Sequence, residues 1–374
     1  MFVSANLIIN IILIVVCVVM ALVFLTIPMP NRDGLKNYRI SLHFFALAYV
    51  VLAILTFIGV LSSNSKVDVF LNFTAISLQM ILFAFSLIVL LNPLFSNTLY
   101  VLKHIAPTFF FVFLSVVAKA VFKLFATYRP HFISQYSQPQ ILLNILFVVF
   151  CVGQLIYFFR LFHLELKKYK SKIDDYYADT HFLKLHWVQY CFYGASVFCV
   201  LVMISVLVPD PLLNLIVTAV NSLFYIVFGL YYIQYPSIYT VLEPAINTPA
   251  FNQEQVTSSR GLSWEKLKSV VVSEKYYIRA EINIEDMAKY LKVGRTTLSG
   301  YINKEENMSF HTWINILRIE EAKQLIRNNR DMSVMQIAEQ IGYSESSHFS
   351  RQFKQITGES PSVWRQRQFQ NEQS

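Results

Sequence analysis

Two short runs near the carboxyl end carry side chains that can hydrogen-bond to nucleic-acid bases and phosphates. The candidate contact residues are Arg295, Thr296, Thr297, Ser299, Gly300 and Lys304 in the first run, and Ser346, Ser347, His348, Ser350, Arg351 and Lys354 in the second. Arginine and small hydroxyls suit the major groove, whereas lysines and helix N-termini hold phosphates. The same side chains could equally form the polar surface of a small helical bundle, so composition leaves both interpretations open.

The two runs occupy equivalent places in a repeated pattern. Met287–Val293 and Ile337–Tyr343 share an apolar–Ala–x–x–apolar order fifty residues apart, and a short polar turn follows each of them. The pattern predicts two helix-turn-helix units, whose second helices we call the first and second reader helices. Apolar residues are expected to face inward at Leu298, Ile302, Phe349 and Phe353. The expected outward positions are Arg295, Thr296, Ser299, Gly300, Ser346, Ser347, Ser350 and Arg351.

Local capping signals set the helix boundaries around these runs. Asn283 is a good N-cap for the helix that precedes the first reader helix. Ser309 opens a long linking helix that is expected to reach Asn328. Ser333 with Gln336 forms a capping box at the start of the second helix-turn-helix unit. Turns and helix ends are expected at Gly342, Gly358 and Pro361.

Composition divides the chain near residue 240. The sequence is 55% hydrophobic and only 14% charged, whereas about a quarter of the residues in soluble proteins are charged. Residues 1–240 hold 14 Lys and Arg against 7 Asp and Glu, while residues 241–374 hold 17 against 16. The excess positive charge therefore lies in the apolar part and gives no support to nucleic-acid binding.

The apolar part contains seven stretches near the length of about 20 residues that crosses a bilayer. They are 7–28, 40–61, 69–91, 101–124, 141–159, 188–208 and 212–233. The fourth is the weakest because it carries three lysines. With seven spans and the carboxyl end inside, ten Lys and Arg residues fall in inner loops and four on the outer side, as the positive-inside rule requires. The amino terminus is then outside.

Polar residues within the spans suggest two roles. Amide side chains there could line a ligand pocket or join neighbouring helices by hydrogen bonds; they are Asn72, Gln79, Asn144, Gln154, Asn214 and Asn221. The four cysteines lie in apolar runs without the spacing of a zinc site. No metal or cofactor is expected.

A long excursion follows the fifth span, at 160–187. Tyr169, Ile173, Tyr176 and Tyr177 share one face of a predicted helix, with Lys and Asp side chains opposite. This face could meet the carboxyl-terminal module or a second subunit, and a purely solvated hairpin is an equal alternative. A stretch rich in Pro, Asn, Thr, Gln and Ser at 240–262 predicts a linker.

Residues 263–368 resemble the AraC/XylS family of bacterial transcription regulators. The matching runs are Ile284–Leu291, Arg318–Ile326, Ile337–Tyr343, His348–Lys354 and Gly358–Arg365. The resemblance implies that two reader helices enter successive major grooves of promoter DNA, and that RNA polymerase is a partner. This chain departs from the family pattern at Gly294, Gly300 and Asn307. The family's usual ligand-binding cupin is replaced by a polytopic domain, as in its membrane-embedded members.

We therefore predict an all-α protein with a seven-span membrane domain at 1–239, a linker at 240–262 and a soluble double helix-turn-helix domain at 263–374. The expected function is a regulator, most simply an activator, in the bacterial cytoplasmic membrane, with an unknown ligand or membrane partner and a possible homodimer. The alternative is a transporter or channel with a DNA-binding regulatory tail. No catalytic motif is found in the sequence, so no enzyme is expected.

Overall fold

The computed structural model describes residues 2–28, 35–61, 69–128, 138–179, 186–208, 210–234, 236–246 and 263–371. Within these ranges the protein is helical, and pairing of extended chain is limited to one bridge between Tyr177 and Asn283. The chain divides into two compact units. The first comprises Met1–Lys167 with Leu185–Pro244, and the second comprises Lys168–Lys184 with Ala245–Ser374.

The first unit is built from long apolar helices. They are α1 (Phe2–Thr26), α2 (Lys36–Leu61), α3 (Val69–Leu91), α4 (Thr98–Tyr128), α5 (Gln138–Asp174), α6 (His186–Leu207) and α7 (Pro211–Ile233). All seven are long and apolar enough to cross a bilayer, judged by length and composition. A short α8 (Pro236–Ile246) follows.

Helix α5 continues well past the expected end of the fifth span at residue 159 and stops at Asp174. Its continuation is amphipathic: Phe162, Leu166, Tyr169 and Ile173 are all buried and follow one another at intervals of three or four residues. That spacing keeps one apolar stripe on the same helical face. The end of the apolar run therefore does not end the helix.

Aromatic side chains form the interior of the first unit. The Phe45 ring lies 4.5 Å from that of Tyr232 and 4.9 Å from that of Phe228. Buried phenols need hydrogen-bond acceptors. Tyr38 donates to the carbonyl of Tyr232 at 2.6 Å, and Tyr49 donates to that of Tyr225 at 2.8 Å. These bonds join α2 to α7.

The first part of the linker expected at 240–262 is helical in the structure. Residues 240–246 belong to α8, where Leu242, Ala245 and Ile246 are buried. Pro244 lies within this helix. The proline and polar residues of this stretch predicted a linker, although its apolar residues form one buried face. The rest of the expected linker, 247–262, lies outside the described residues.

The carboxyl-terminal part of the second unit contains seven α-helices within 263–371. They are α9 (Trp264–Ser273), α10 (Ile284–Tyr290), α11 (Arg295–Glu305), α12 (Phe310–Asn328), α13 (Val334–Gln340), α14 (Ser346–Thr357) and α15 (Pro361–Asn371). The Asn283 cap, the Ser309 cap and the Ser333 capping box are confirmed. Leu298, Ile302, Phe349 and Phe353 are fully buried, as expected.

Removing the capping box of α13 should weaken the second unit. Ser333 Oγ accepts from the Gln336 amide at 3.2 Å, and Gln336 Oε1 accepts from the Ser333 amide at 2.9 Å. We expect Ser333→Ala to lower the free energy of unfolding by about 1 kcal/mol. Denaturant unfolding followed by tryptophan fluorescence would measure this loss. Ser362→Ala, at an exposed position of α15, should leave the midpoint unchanged.

Arg318 on α12 holds the connection that leads into the first helix-turn-helix unit. Its side chain is fully buried, with Nε donating to the Tyr277 carbonyl at 2.8 Å and Nη2 to the Arg279 carbonyl at 2.7 Å. The guanidinium carbon also lies 5.2 Å from the centre of the Tyr343 ring. One side chain of the linking helix therefore contacts both the connection before the first helix-turn-helix unit and the second helix-turn-helix unit.

Candidate nucleic-acid interface

The second reader helix is α14. Its predicted contact residues include the exposed Ser347, Arg351 and Lys354 and the half-buried Ser346 and Ser350. His348, which is also a predicted contact residue, is buried and only 3% exposed. Its ring packs against that of Tyr343 at 5.4 Å, and its Nδ1 lies 3.4 Å from a carboxylate oxygen of Asp179.

The first reader helix is α11. Thr296 and Lys304 are exposed on it, while Arg295 and Thr297 are half-buried. The outward positions expected for Ser299 and Gly300 are wrong, because both are buried. Ser299 lies beside the core position Leu298, and its hydroxyl accepts from Asn303 at 3.2 Å. Gly300 has no side chain to present to a ligand.

Arg295, the first residue of this reader helix, faces a tyrosine from another part of the chain. Its guanidinium carbon lies 5.3 Å from the centre of the Tyr176 ring. Burial lowers the pKa of the guanidinium, and the nearby Tyr176, Glu285 and Asp175 oppose that shift. Part of the surface of this guanidinium is therefore covered by the chain itself.

The covering residues follow the end of α5, and we call Asp175–Asp179 the docking segment. It pairs with the residues that cap α10: the Ile284 amide donates to the Tyr176 carbonyl at 2.8 Å, and the Ala178 amide donates to the Ile282 carbonyl at 3.1 Å. The Tyr176 hydroxyl donates to Glu285 Oε2 at 2.7 Å. These bonds attach the segment to the first helix-turn-helix unit.

The same segment reaches the linking helix and the second helix-turn-helix unit. The Ala178 carbonyl accepts from Asn315 at 3.0 Å and lies 2.6 Å from His311 Nδ1. The Asp179 carboxylate accepts from the Ser344 hydroxyl at 3.3 Å. The chain after the fifth span, 160–187, was expected to contact the carboxyl-terminal helix-turn-helix domain, to contact a second subunit, or to be a solvated hairpin. Contact with the helix-turn-helix domain is the one observed.

Docking should depend on pH through Asp175. Burial, with repulsion from Asp174, raises its pKa from 3.8 to about 6, and Arg295 acts in the opposite direction. The docked form thus holds a proton more tightly than the released form. Its added stability is complete below pH 3.8 and is lost as the pH rises through 6.

Hydrogen exchange of the backbone amides of Tyr176–Asp179 would measure this dependence. We expect their protection to increase between pH 7.5 and pH 5 in the native chain, and to change less in Asp175→Asn. His311 and His348, which also contact the segment, are present in both proteins, so the difference between the two profiles isolates Asp175. Equal profiles would contradict the assignment.

Sequence reasoning did not single out Asp175, Asp179, His311 or Asn315. The available signal was the amphipathic face of the excursion, which predicted burial without naming its partner. His311 and Asn315 lie one turn apart on α12, a spacing that also fits an ordinary buried face.

A separate cavity of about 720 Å³ lies in the first unit. Its lining is mainly apolar and includes four of the six amides noted in the sequence, namely Asn72, Gln79, Asn214 and Asn221. Gln154 instead joins helices, accepting from Ser77 at 2.6 Å, and Asn144 is not in the lining. Gln79 Oε1 and Asn6 Oδ1 are buried and find no hydrogen-bond donor among the described residues.

Comparison with known proteins supports the assignment of the second unit. Residues 287–367 match the family described as helix-turn-helix domain. The chain is 28% identical over 117 residues to the Msm operon regulatory protein of Streptococcus mutans, covering 31% of this chain and 41% of that protein. It is 37% identical over 82 residues to the raffinose operon transcriptional regulatory protein RafR of Pediococcus pentosaceus, covering 22% and 29%.

A third relative is the HTH-type transcriptional regulator ExsA of Pseudomonas aeruginosa. It is 33% identical over 93 residues, which cover 25% of this chain and 33% of that protein. The chain thus covers less than half the length of each of these relatives. No solved structure matches it. These findings support an AraC-type DNA-binding domain.

Proposed function

We propose that this protein is a membrane-tethered regulator that binds promoter DNA through the two reader helices and acts on RNA polymerase, most simply as an activator. The observation that carries the proposal is the presence, in one chain, of two helix-turn-helix units and seven helices of bilayer length. The unit with the helix-turn-helix motifs belongs in the cytoplasm and the amino terminus outside.

Both reader helices keep groove-compatible side chains on their surfaces. Thr296 and Lys304 on α11, and Ser347, Arg351 and Lys354 on α14, are exposed. Hydroxyls and guanidinium groups suit base edges, and lysines suit phosphates. Two such helices on one DNA face require half-sites about 10 base pairs apart.

Selection from a random double-stranded DNA pool tests the DNA-binding part of the proposal. The full chain in lipid nanodiscs is incubated with the pool, and the retained DNA is sequenced. We expect one enriched site with two conserved elements about 10 base pairs apart. A retained pool without sequence enrichment would contradict sequence-specific binding.

Reporter fusions test the membrane arrangement. A fluorescent protein that matures in the cytoplasm, fused after residue 374, should be bright, and alkaline phosphatase at the same place should be inactive. The opposite result would remove the second unit from the compartment that holds DNA.

The cavity in the first unit supports a sensing role. Its volume suits a small ligand, and the free acceptor oxygens of Gln79 and Asn6 require hydrogen-bond donors. Asp210 in the lining disfavours an anion. The ligand class is therefore a neutral amphiphile with hydroxyl or amide N–H groups.

Native mass spectrometry can test this class with a short-chain monoacylglycerol as the probe. We expect it to bind the full chain, and a fatty acid of equal length to bind less. Gln79→Leu should weaken binding of the monoacylglycerol, whereas Gln154→Leu should not, because Gln154 is absent from the lining. Equal binding of both lipids to every variant would exclude a specific site.

A further inference from the structure

We propose that the docking segment, Asp175–Asp179, is an internal competitor of DNA at the N-terminal ends of both reader helices. The inference rests on the proposed function, because it concerns how DNA binding by the same two reader helices is controlled. The competitor belongs to the same chain as the reader helices and follows directly after Asp174, the last residue of α5.

At the first reader helix, the segment covers a cation that DNA would need. Arg295 is the first residue of α11, and residues at this end of a reader helix meet base edges or phosphates. The Tyr176 ring lies against the guanidinium of Arg295, and Asp175 stands close enough to stabilise its positive charge. DNA cannot contact the covered face of Arg295 until Tyr176 moves away.

At the second reader helix, the segment supplies an anion. Ser344, which donates to the Asp179 carboxylate, stands two residues before the start of α14. The other oxygen of this carboxylate lies 3.4 Å from His348 Nδ1. The N-terminal end of a helix is where a DNA phosphate gains most from backbone amides and the helix dipole. A carboxylate near that end repels the phosphate.

The contacts also hold the two helix-turn-helix units in one arrangement. The segment bonds to the cap of α10, to His311 and Asn315 on α12, and to Ser344 before α14. Two reader helices must match the spacing of successive grooves. Release of the segment therefore exposes the contact residues and removes one set of bonds that joins the two helix-turn-helix units.

A simple structural role for the segment predicts the opposite result. If it only stabilised the fold, weakening its contacts would lower DNA affinity. If it competes with DNA, weakening them raises DNA affinity, because less of the protein is held in the closed form. The direction of the change distinguishes the two roles.

The test uses the full chain in nanodiscs and a labelled double-stranded oligonucleotide that carries the site enriched in the selection described above. Fluorescence anisotropy measures its affinity for the native chain, Asp179→Asn and Tyr176→Ala. We expect each variant to bind at least about tenfold more tightly, which is 1.4 kcal/mol of closing energy removed. Asp331→Asn, which makes the same charge change at an exposed position outside the segment, should bind like the native chain.

A reversible crosslink supplies the reverse test. Tyr177 and Asn283 face each other in the antiparallel bridge, and such pairs have a Cα separation of about 4.5 to 5.5 Å that suits a disulfide. The double variant Tyr177→Cys/Asn283→Cys should lose DNA binding when oxidised and regain it on reduction. Each single cysteine variant should bind DNA equally under both conditions.

The outcomes separate the inference from the proposed function. If the oxidised double variant binds DNA as tightly as the reduced one, or if Asp179→Asn and Tyr176→Ala bind no more tightly than the native chain, competition is wrong and DNA binding stands. If no form binds DNA in any condition, both fail. Thermal unfolding of each variant identifies any loss of binding that comes from misfolding.

Discussion

Gly342→Ala should unfold the second unit near physiological temperature. Gly342 sits in the turn of the second helix-turn-helix unit with a φ of +85°, and a Cβ there would lie 2.2 Å from the Ile278 carbonyl oxygen and 3.1 Å from that of Arg279. A left-handed conformation costs an alanine about 1–2 kcal/mol, and overpacking adds about 1–3 kcal/mol or more.

The clash is severe because the atoms that the new methyl group would meet are backbone atoms, which cannot rotate away as a side chain can. Arg318 holds the same stretch through the carbonyls of Tyr277 and Arg279, so the new methyl group would have to break those bonds. A total of about 2–5 kcal/mol is a large share of the stability of a small domain, about 5–15 kcal/mol. We expect the melting temperature of the second unit to fall by about 8 °C or more.

Gly358→Ala provides a matched control. Gly358 also has a positive φ, +87°, but nothing lies within 4 Å of the Cβ position. Only the conformational cost of about 1–2 kcal/mol remains. If both variants melt at the same temperature, contact with the Ile278 carbonyl is not what requires glycine at position 342.

Arg351→Ala should have the largest effect on sequence recognition. Arg351 is exposed on the second reader helix, and removing an arginine that bonds to a base edge costs about 1–3 kcal/mol. Affinity for the selected site should therefore fall by about 5- to 150-fold. Discrimination should be lost at one base pair, while non-specific binding changes less.

Two further variants separate base contact from charge. Lys354→Ala, as a phosphate contact, should weaken binding to all sequences and reduce the salt dependence by about one counterion. Arg367→Ala removes the same charge as Arg351→Ala, but from α15, where Arg367 is paired with Glu359 at 2.5 Å. Equal losses for Arg351→Ala and Arg367→Ala would show that net charge alone drives binding.

Local signals predicted the carboxyl-terminal helices well. The caps at Asn283 and Ser333 and the helix end at Gly358 are all found in the structure. Each depends on a few neighbouring residues, because a cap or a left-handed turn is satisfied within one helical turn. The outward position of Ser299 was predicted wrongly, and the burial of His348 against the distant Asp179 is not visible in the local pattern.

By itself, the sequence determined the helical character of this protein, the apolar helices of bilayer length and the two helix-turn-helix motifs, because periodicity and capping act over short distances. Only the tertiary structure decided that Asp175–Asp179 lies against both reader helices and covers Arg295. Those contacts join residues more than a hundred positions apart, and hydrogen bonds of that kind leave no spacing in the chain that a pattern could reveal.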